Sequence, residues 1–327
     1  MNILLMLVGL ALILIGANYL TEGASDLARR MRISDFVIGV TVVAIGTSFP
    51  ELVISVMSGM EGKGDVAIGN IVGSNLFNTL LILGVTALIL PLRYTRNNLR
   101  ADIPFGILAS VVLFIVASDT LLDGAKSNYI GRNEGLLMLG YFVIFIIYTI
   151  YTSRGSGVAK VPEAEKPKTE SAPAPHKRKI WLSLLMIGGG LAGLIYGGNL
   201  FLDKSLILAR SIGVSESVIA VTLLAGGTSL PEFFVSVVSA IKKKPGMALG
   251  NVIGSNICNI FLVLGLSATV SPLTPGDIIP LDMVVLIASS VLLFTCAYTF
   301  RKKTLDRFEG AIFILLYFAY IYWLLNR

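Results

Sequence analysis

Apolar runs recur along the chain near 3–20, 36–60, 65–91, 102–118, 135–152, 180–202, 217–241, 247–270, 280–299 and 309–325, with polar segments between them. A helix needs about 20 apolar residues to cross about 30 Å of hydrocarbon. Each run therefore predicts one membrane-spanning helix, and the expected fold is an all-α polytopic membrane protein of ten spans. The first run has no Lys or Arg before Arg29 and leads into Asn18 and Glu22 without a clear small-residue cleavage site, so it reads as a helix rather than a removable signal. The pattern fails from Ser153 to Lys179, which holds four prolines among Lys, Glu, Ser and Ala. That stretch reads as a flexible linker. It divides the chain into 1–152, a first five-helix repeat; 153–179, the linker; and 180–327, a second five-helix repeat.

Composition agrees with this, since 55% of the 327 residues are hydrophobic and 14% are charged. The formal charge of +6 does not point to nucleic acid once the basic residues are placed on the chain. Twenty of the 26 Lys and Arg fall in the loops after spans one, three, five, seven and nine. Basic residues collect on the cytoplasmic side, so these loops and the linker are expected in the cytoplasm, with both termini outside a cell membrane. The two cysteines lie in apolar runs and read as small packing residues. The one histidine, His176, lies in the linker. That leaves no histidine chemistry and no implied cofactor.

The two halves are copies. Residues 37–84 align without a gap on 218–265 at an offset of 181, with 24 identities in 48 pairs. Five spans per half is an odd number, so the second copy is expected to enter the membrane upside down. Such inverted repeats place a transporter's binding site at their interface.

The densest identity surrounds two acidic residues. Ala44-Ile45-Gly46-Thr47-Ser48-Phe49-Pro50-Glu51 returns as Ala225-Gly226-Gly227-Thr228-Ser229-Leu230-Pro231-Glu232. An ionisable group at mid-bilayer depth is expensive and marks an ion or substrate path. Neither segment holds a basic residue at the carboxylate's helical level, which argues against a structural ion pair. Pro50 and Pro231 cannot donate to the carbonyls of Gly46 and Gly227, so both helices are expected to kink. Downstream, Gly69-Asn70-Ile71-Val72-Gly73-Ser74-Asn75-Leu76-Phe77-Asn78 matches Gly250-Asn251-Val252-Ile253-Gly254-Ser255-Asn256-Ile257-Cys258-Asn259. Residues four apart share a helix face, which pairs Thr47 with Glu51, Ser74 with Asn78 and Ser255 with Asn259. Small polar residues also serve plain helix packing in membranes, and that reading is preferred for Gly69, Gly73 and Gly84.

The paired GTS-x-PE and GN-x-x-GSN-x-x-N segments resemble the alpha repeats of the cation/calcium exchanger superfamily, most closely its prokaryotic sodium/calcium exchanger branch. The resemblance covers both halves and the linker position. It implies an antiporter exchanging Na+ for Ca2+ by alternating access, with Glu51 and Glu232 as central cation ligands. Thr47, Ser48, Ser74 and Asn78 would join them from the first half, and Thr228, Ser229, Ser255 and Asn259 from the second. Backbone carbonyls of Ala44 and Ala225 would complete the set. It also implies that helices one and six slide over the core, with Gly16, Gly23, Gly197 and Gly198 as close-contact positions. Some relatives, including potassium-dependent exchangers, carry Asp where this chain has Asn259. With two carboxylates the site carries a charge of −2, which argues against potassium dependence.

A −2 pocket is neutralised by one Ca2+ or by two Na+, and oxygen ligands in a wide cage suit calcium better than magnesium. The nearest alternative is an H+/Ca2+ antiporter using the same two glutamates. A passive cation channel would lack counter-ion coupling. An intramembrane hydrolase would need an acid, a base and a nucleophile in unlike positions, whereas these carboxylates are duplicates, so the chain is not expected to be an enzyme. Its expected partners are Ca2+, Na+ and the lipid bilayer, and nothing in the sequence requires more than a monomer.

Overall fold

The computed structural model describes residues 2–155, 179–211, 225–276, 280–299 and 303–326. The described chain is almost wholly helical: α1 (Asn2–Met31), α2 (Asp35–Thr47), α3 (Phe49–Met60), α4 (Gly64–Ile89), α5 (Asn98–Val116), α6 (Arg132–Gly155), α7 (Ile180–Ser211), α8 (Leu230–Ile241), α9 (Pro245–Val270), α10 (Pro280–Cys296) and α11 (Arg307–Leu325). Among the described residues seven helices are long and apolar enough to cross a membrane, and α2 with α3, bent by 44° at their break, passes the same test when the pair is taken as one span. Helices α8 and α10 are apolar but shorter, with 12 and 17 residues. The expected run 217–241 is described only from Ala225 onward, and most of the expected linker lies outside the described residues.

Long helices form because their polar residues still find partners. The apolar run 3–20 predicts a helix of ordinary length, yet α1 continues to Met31. Its buried residues recur as Gly9, Ile13, Gly16, Leu20, Ala24 and Leu27, one face of a 3.6-residue period. That face packs along α7. The approach is backbone to backbone: a Cβ at Gly16 would lie 2.7 Å from the Gly190 carbonyl oxygen, and one at Gly197 would lie 2.9 Å from that of Gly9. Gly23 is equally close to the Ser183 carbonyl, at 2.8 Å, whereas a Cβ at Gly198 would meet no atom within 4 Å. Gly198 is therefore not one of the close contacts expected from the sequence. Beyond the apolar run, Thr21 lies 3.4 Å from the Ser239 hydroxyl of α8, and Lys244 Nζ donates to the Thr21 carbonyl at 3.3 Å.

The core is built on α4 and α9, whose spans are 78% buried, against 22–39% for the other long spans. Ile68, Ile71, Leu76 and Leu83 of α4 join Val252, Ile257, Phe261 and Leu264 of α9 in one apolar cluster. The close-packing role read for the glycines holds at Gly84, where a Cβ would lie 2.8 Å from the Gly310 carbonyl, but not at Gly73, where a Cβ would meet no atom within 4 Å. Helix α3 packs on α4, and α8 on α9. Among the described residues loops join the halves where Leu92–Arg93 pairs antiparallel with Thr304–Leu305 and where Ile130 bridges to Leu273.

Candidate functional site

The two motif segments break their helices at matching places. Proline at the second position of α3 lacks the N–H that a continuous helix would send to Gly46, and the chain bends there by 44°. Pro231 takes the same position in α8, after the helical turn Ala225–Gly227 and the non-helical pair Thr228–Ser229. Each break leaves a glutamate in the first turn of the next helix, Glu51 in α3 and Glu232 in α8. A carboxylate is favoured there by the unpaired amide groups of a helix N-terminus. Both glutamates are wholly buried.

Each glutamate takes a hydroxyl from the opposite half. Ser229 Oγ donates to Glu51 Oε1 at 2.9 Å, and Ser48 Oγ donates to Glu232 Oε1 at 3.1 Å. Ser255 Oγ adds a long contact to Glu232 Oε1 at 3.5 Å. The threonines cross in the same way: Thr47 Oγ1 donates to Asn251 Oδ1 and Thr228 Oγ1 to Asn70 Oδ1, both at 3.3 Å. Ser74 Oγ lies 3.4 Å from Thr228 Oγ1. The two asparagines are held in turn, since Asn70 Nδ2 donates to Ser55 Oγ at 3.2 Å and Asn251 Nδ2 to Ser236 Oγ at 3.0 Å.

The bonds leave an unfilled remainder. Glu51 Oε2, Glu232 Oε2, Asn259 Oδ1 and both amide atoms of Asn78 are buried without a hydrogen-bond partner. Leaving such groups bare is costly. Four oxygens of this kind, two from carboxylates, are the donor set a hard cation takes. Asn78 and Asn259 stand second in the π-helical turns Phe77–Ile82 and Cys258–Leu264, a local widening frequent at functional sites. Among the described residues no group of three His, Cys, Asp or Glu gathers to hold a metal. Two surface cavities, of about 720 and 400 Å³, are lined by none of these residues.

Of the residues read from sequence, the structure thus brings Glu51 to Ser229, Glu232 to Ser48 and Ser255, and Ser74 to Thr228, while Thr47 reaches Glu232 through Asn251, whose Nδ2 donates to the Glu232 carbonyl; Asn78 and Asn259 stand one turn from Ser74 and Ser255. The Ala44 carbonyl is engaged within the chain, accepting the Ser48 N–H at 3.0 Å and the Thr47 hydroxyl at 3.3 Å. Ala225 opens the short turn before Thr228. The sequence reading assigned no role to Asn70, Asn75 and Asn251, although all three stand at duplicated polar positions inside the quoted motifs.

A sequence profile described as sodium/calcium exchanger protein matches residues 1–151 and 182–326. The chain belongs to this family. It is 33% identical over 323 residues to the putative antiporter CaxA of Alkalimonas amylolytica, covering 98% of this chain and 97% of that one. It is 32% identical over 348 residues to the sodium/calcium exchanger MaX1 of Methanosarcina acetivorans, covering 98% and 97%. Its fold is similar, at a TM-score of 0.81 and 31% identity, to the sodium-calcium exchanger NCX_Mj soaked with 2.5 mM Na+ and 1 mM Sr2+, over 98% of this chain and 97% of the other. Family membership places the chain in the prokaryotic branch of the cation/calcium exchangers, membrane antiporters rather than enzymes.

Proposed function

We propose that this protein exchanges Na+ for Ca2+ across the cell membrane at a central site between Glu51 and Glu232. The observation that carries the reading is the reciprocal capture of each glutamate by the other half's serine, with the second oxygen of each carboxylate left unfilled. Thr47, Ser48, Ser74, Asn78 and the Ala44 carbonyl from the first half, and Thr228, Ser229, Ser255, Asn259 and the Ala225 carbonyl from the second, complete the ligand set. One Ca2+ or two Na+ would neutralise the pair, so either cargo excludes the other. An empty site with two buried charges is costly to carry through a closed state, and switching is thereby tied to loading.

The reading includes ten spans in two inverted five-helix repeats, with the loops rich in Lys and Arg in the cytoplasm and both termini outside. It assigns alternating access to movement of α1 and α7 as one unit over α3, α4, α8 and α9. The glycine-mediated backbone contact between α1 and α7 supports that unit, because close-packed backbones move together more readily than they separate. The test is calcium uptake into proteoliposomes under imposed sodium, proton or potassium gradients. Uptake driven by outward sodium alone is expected. Uptake driven by a proton gradient without sodium would replace this reading with H+/Ca2+ antiport, and uptake needing no counter-ion gradient would make the protein a channel.

A further inference from the structure

The asparagines beside the glutamates are duplicated in sequence but unlike in the structure. Asn259 Nδ2 donates to Asn75 Oδ1 at 3.0 Å, and Asn75 Nδ2 donates to the Asn256 backbone carbonyl at 3.2 Å. A backbone carbonyl can only accept. Asn75 must therefore turn its amino group to Asn256, which leaves its oxygen facing Asn259. Asn259 must answer with its own amino group. Its oxygen is thereby turned to the other side, where it has no protein partner. The direction of the Asn259 amide is fixed by the chain of bonds and not by the choice of which end of a side chain is called oxygen.

The matching chain in the other half is missing. At the offset of 181, Asn78 answers to Asn259 and Asn256 to Asn75. Asn256 instead sends its Nδ2 to Thr79 Oγ1 at 2.7 Å, and its Oδ1 is without a partner. Ile260 stands at the position matching Thr79, so the first half owns a hydroxyl that the second lacks. Asn78 is left with both amide atoms unpartnered and is free to present either end.

We infer that Asn75 is a positioning residue that holds Asn259 with its oxygen directed at the cation, making Asn259 an oxygen-only ligand while Asn78 remains adjustable. The inference rests on the proposed site. An amide free to rotate spends part of its time with hydrogen atoms towards the cation, which repels it. Removing Asn75 should therefore weaken cation binding without removing a ligand.

The test uses the full-length protein in proteoliposomes, with calcium as the probe and sodium as the driving ion. Asn75→Leu keeps the volume and removes both bonds. It is expected to raise the calcium concentration for half-maximal uptake about tenfold, with the maximal rate within about twofold of wild type. The decisive background is Asn259→Asp, whose two side-chain oxygens are equivalent and need no orienting. There Asn75→Leu should change half-saturation by less than about twofold. A purely structural role for Asn75 would lower rate and thermal stability alike in both backgrounds. If Asn75→Leu does not fold, Asn75→Ser, too short to bridge, should give the same split. Unchanged calcium dependence, or an equal factor in both backgrounds, overturns the inference. Normal uptake by Asn259→Ala would overturn the site itself, which separates the two failures.

Discussion

Lys242 Nζ lies 2.6 Å from Glu22 Oε1, tying the end of α8 to α1. The matching positions in the other copies are Glu61 and Asp203, two acids that cannot form such a pair, and Glu61 bonds instead to Lys63 at 2.8 Å. Among the described residues, this clasp between α1 and the core therefore has no counterpart at the two matching positions. Glu22→Gln or Lys242→Gln should each lower the melting temperature slightly. The pair is 22% and 34% exposed, so a double-mutant cycle is expected to give only about 0.5–1 kcal/mol. Reversing both charges together should recover most of it. A cycle giving zero coupling would mean that the pair holds nothing.

Glu51→Gln and Glu232→Gln should each abolish calcium uptake while leaving the protein folded. Each removes half of the site charge and almost no volume. Proteoliposome flux checks the first statement and thermal unfolding the second. Near-normal uptake by either purified variant would refute the assignment.

Transport should not require potassium. Two carboxylates are balanced by one Ca2+, and Asn259 supplies no third charge to balance an additional monovalent ion. The expectation fails if sodium-driven calcium flux disappears when potassium is removed from both sides of the vesicle.

Asn259→Asp raises the site charge from −2 to −3. Protons should compete more effectively for a cavity with three carboxylates than for one with two, so calcium flux in this variant should fall more steeply than wild type as pH drops. Superimposable pH profiles would place Asn259 outside the cation site.

Gly16→Val puts side-chain atoms where the Gly190 carbonyl lies 2.7 Å from the Cβ position, and a backbone atom cannot swing aside. Overpacking of this kind costs about 1–3 kcal/mol. The variant should lose both melting temperature and transport, whereas Gly198→Ala, with open space around it, should lose neither.

Much of this molecule is legible in its sequence because the chemistry is written twice. The offset of 181 isolates Glu51 and Glu232, and a proline next to each announces the break that the structure has between α2 and α3. What periodicity cannot convey is which half serves which. Ser48 lies three residues from Glu51, and the spacing suggests a local partner, yet its hydroxyl goes to Glu232. Asn75 is hidden for a related reason: its oxygen bonds to Asn259, a proposed ligand, rather than facing the proposed site. Hydropathy marks α1 only as far as Leu20, whereas the helix continues on polar contacts of Thr21 and Glu22 with residues more than 200 positions away.

The exchange of hydroxyls between the halves also sets an order of events during synthesis. Ser229 follows Glu51 by 178 residues. At about 5–20 residues per second, its arrival lags that of Glu51 by roughly 10–40 s. Through that interval the first half sits in the bilayer with a carboxylate whose hydroxyl donor has not yet been made. The nascent chain must keep Glu51 near water, or paired with a proton or a stray cation, until α8 enters. The half-made protein is thus a poor substitute for half of the finished one, and quality-control proteases have a defined window in which to find it.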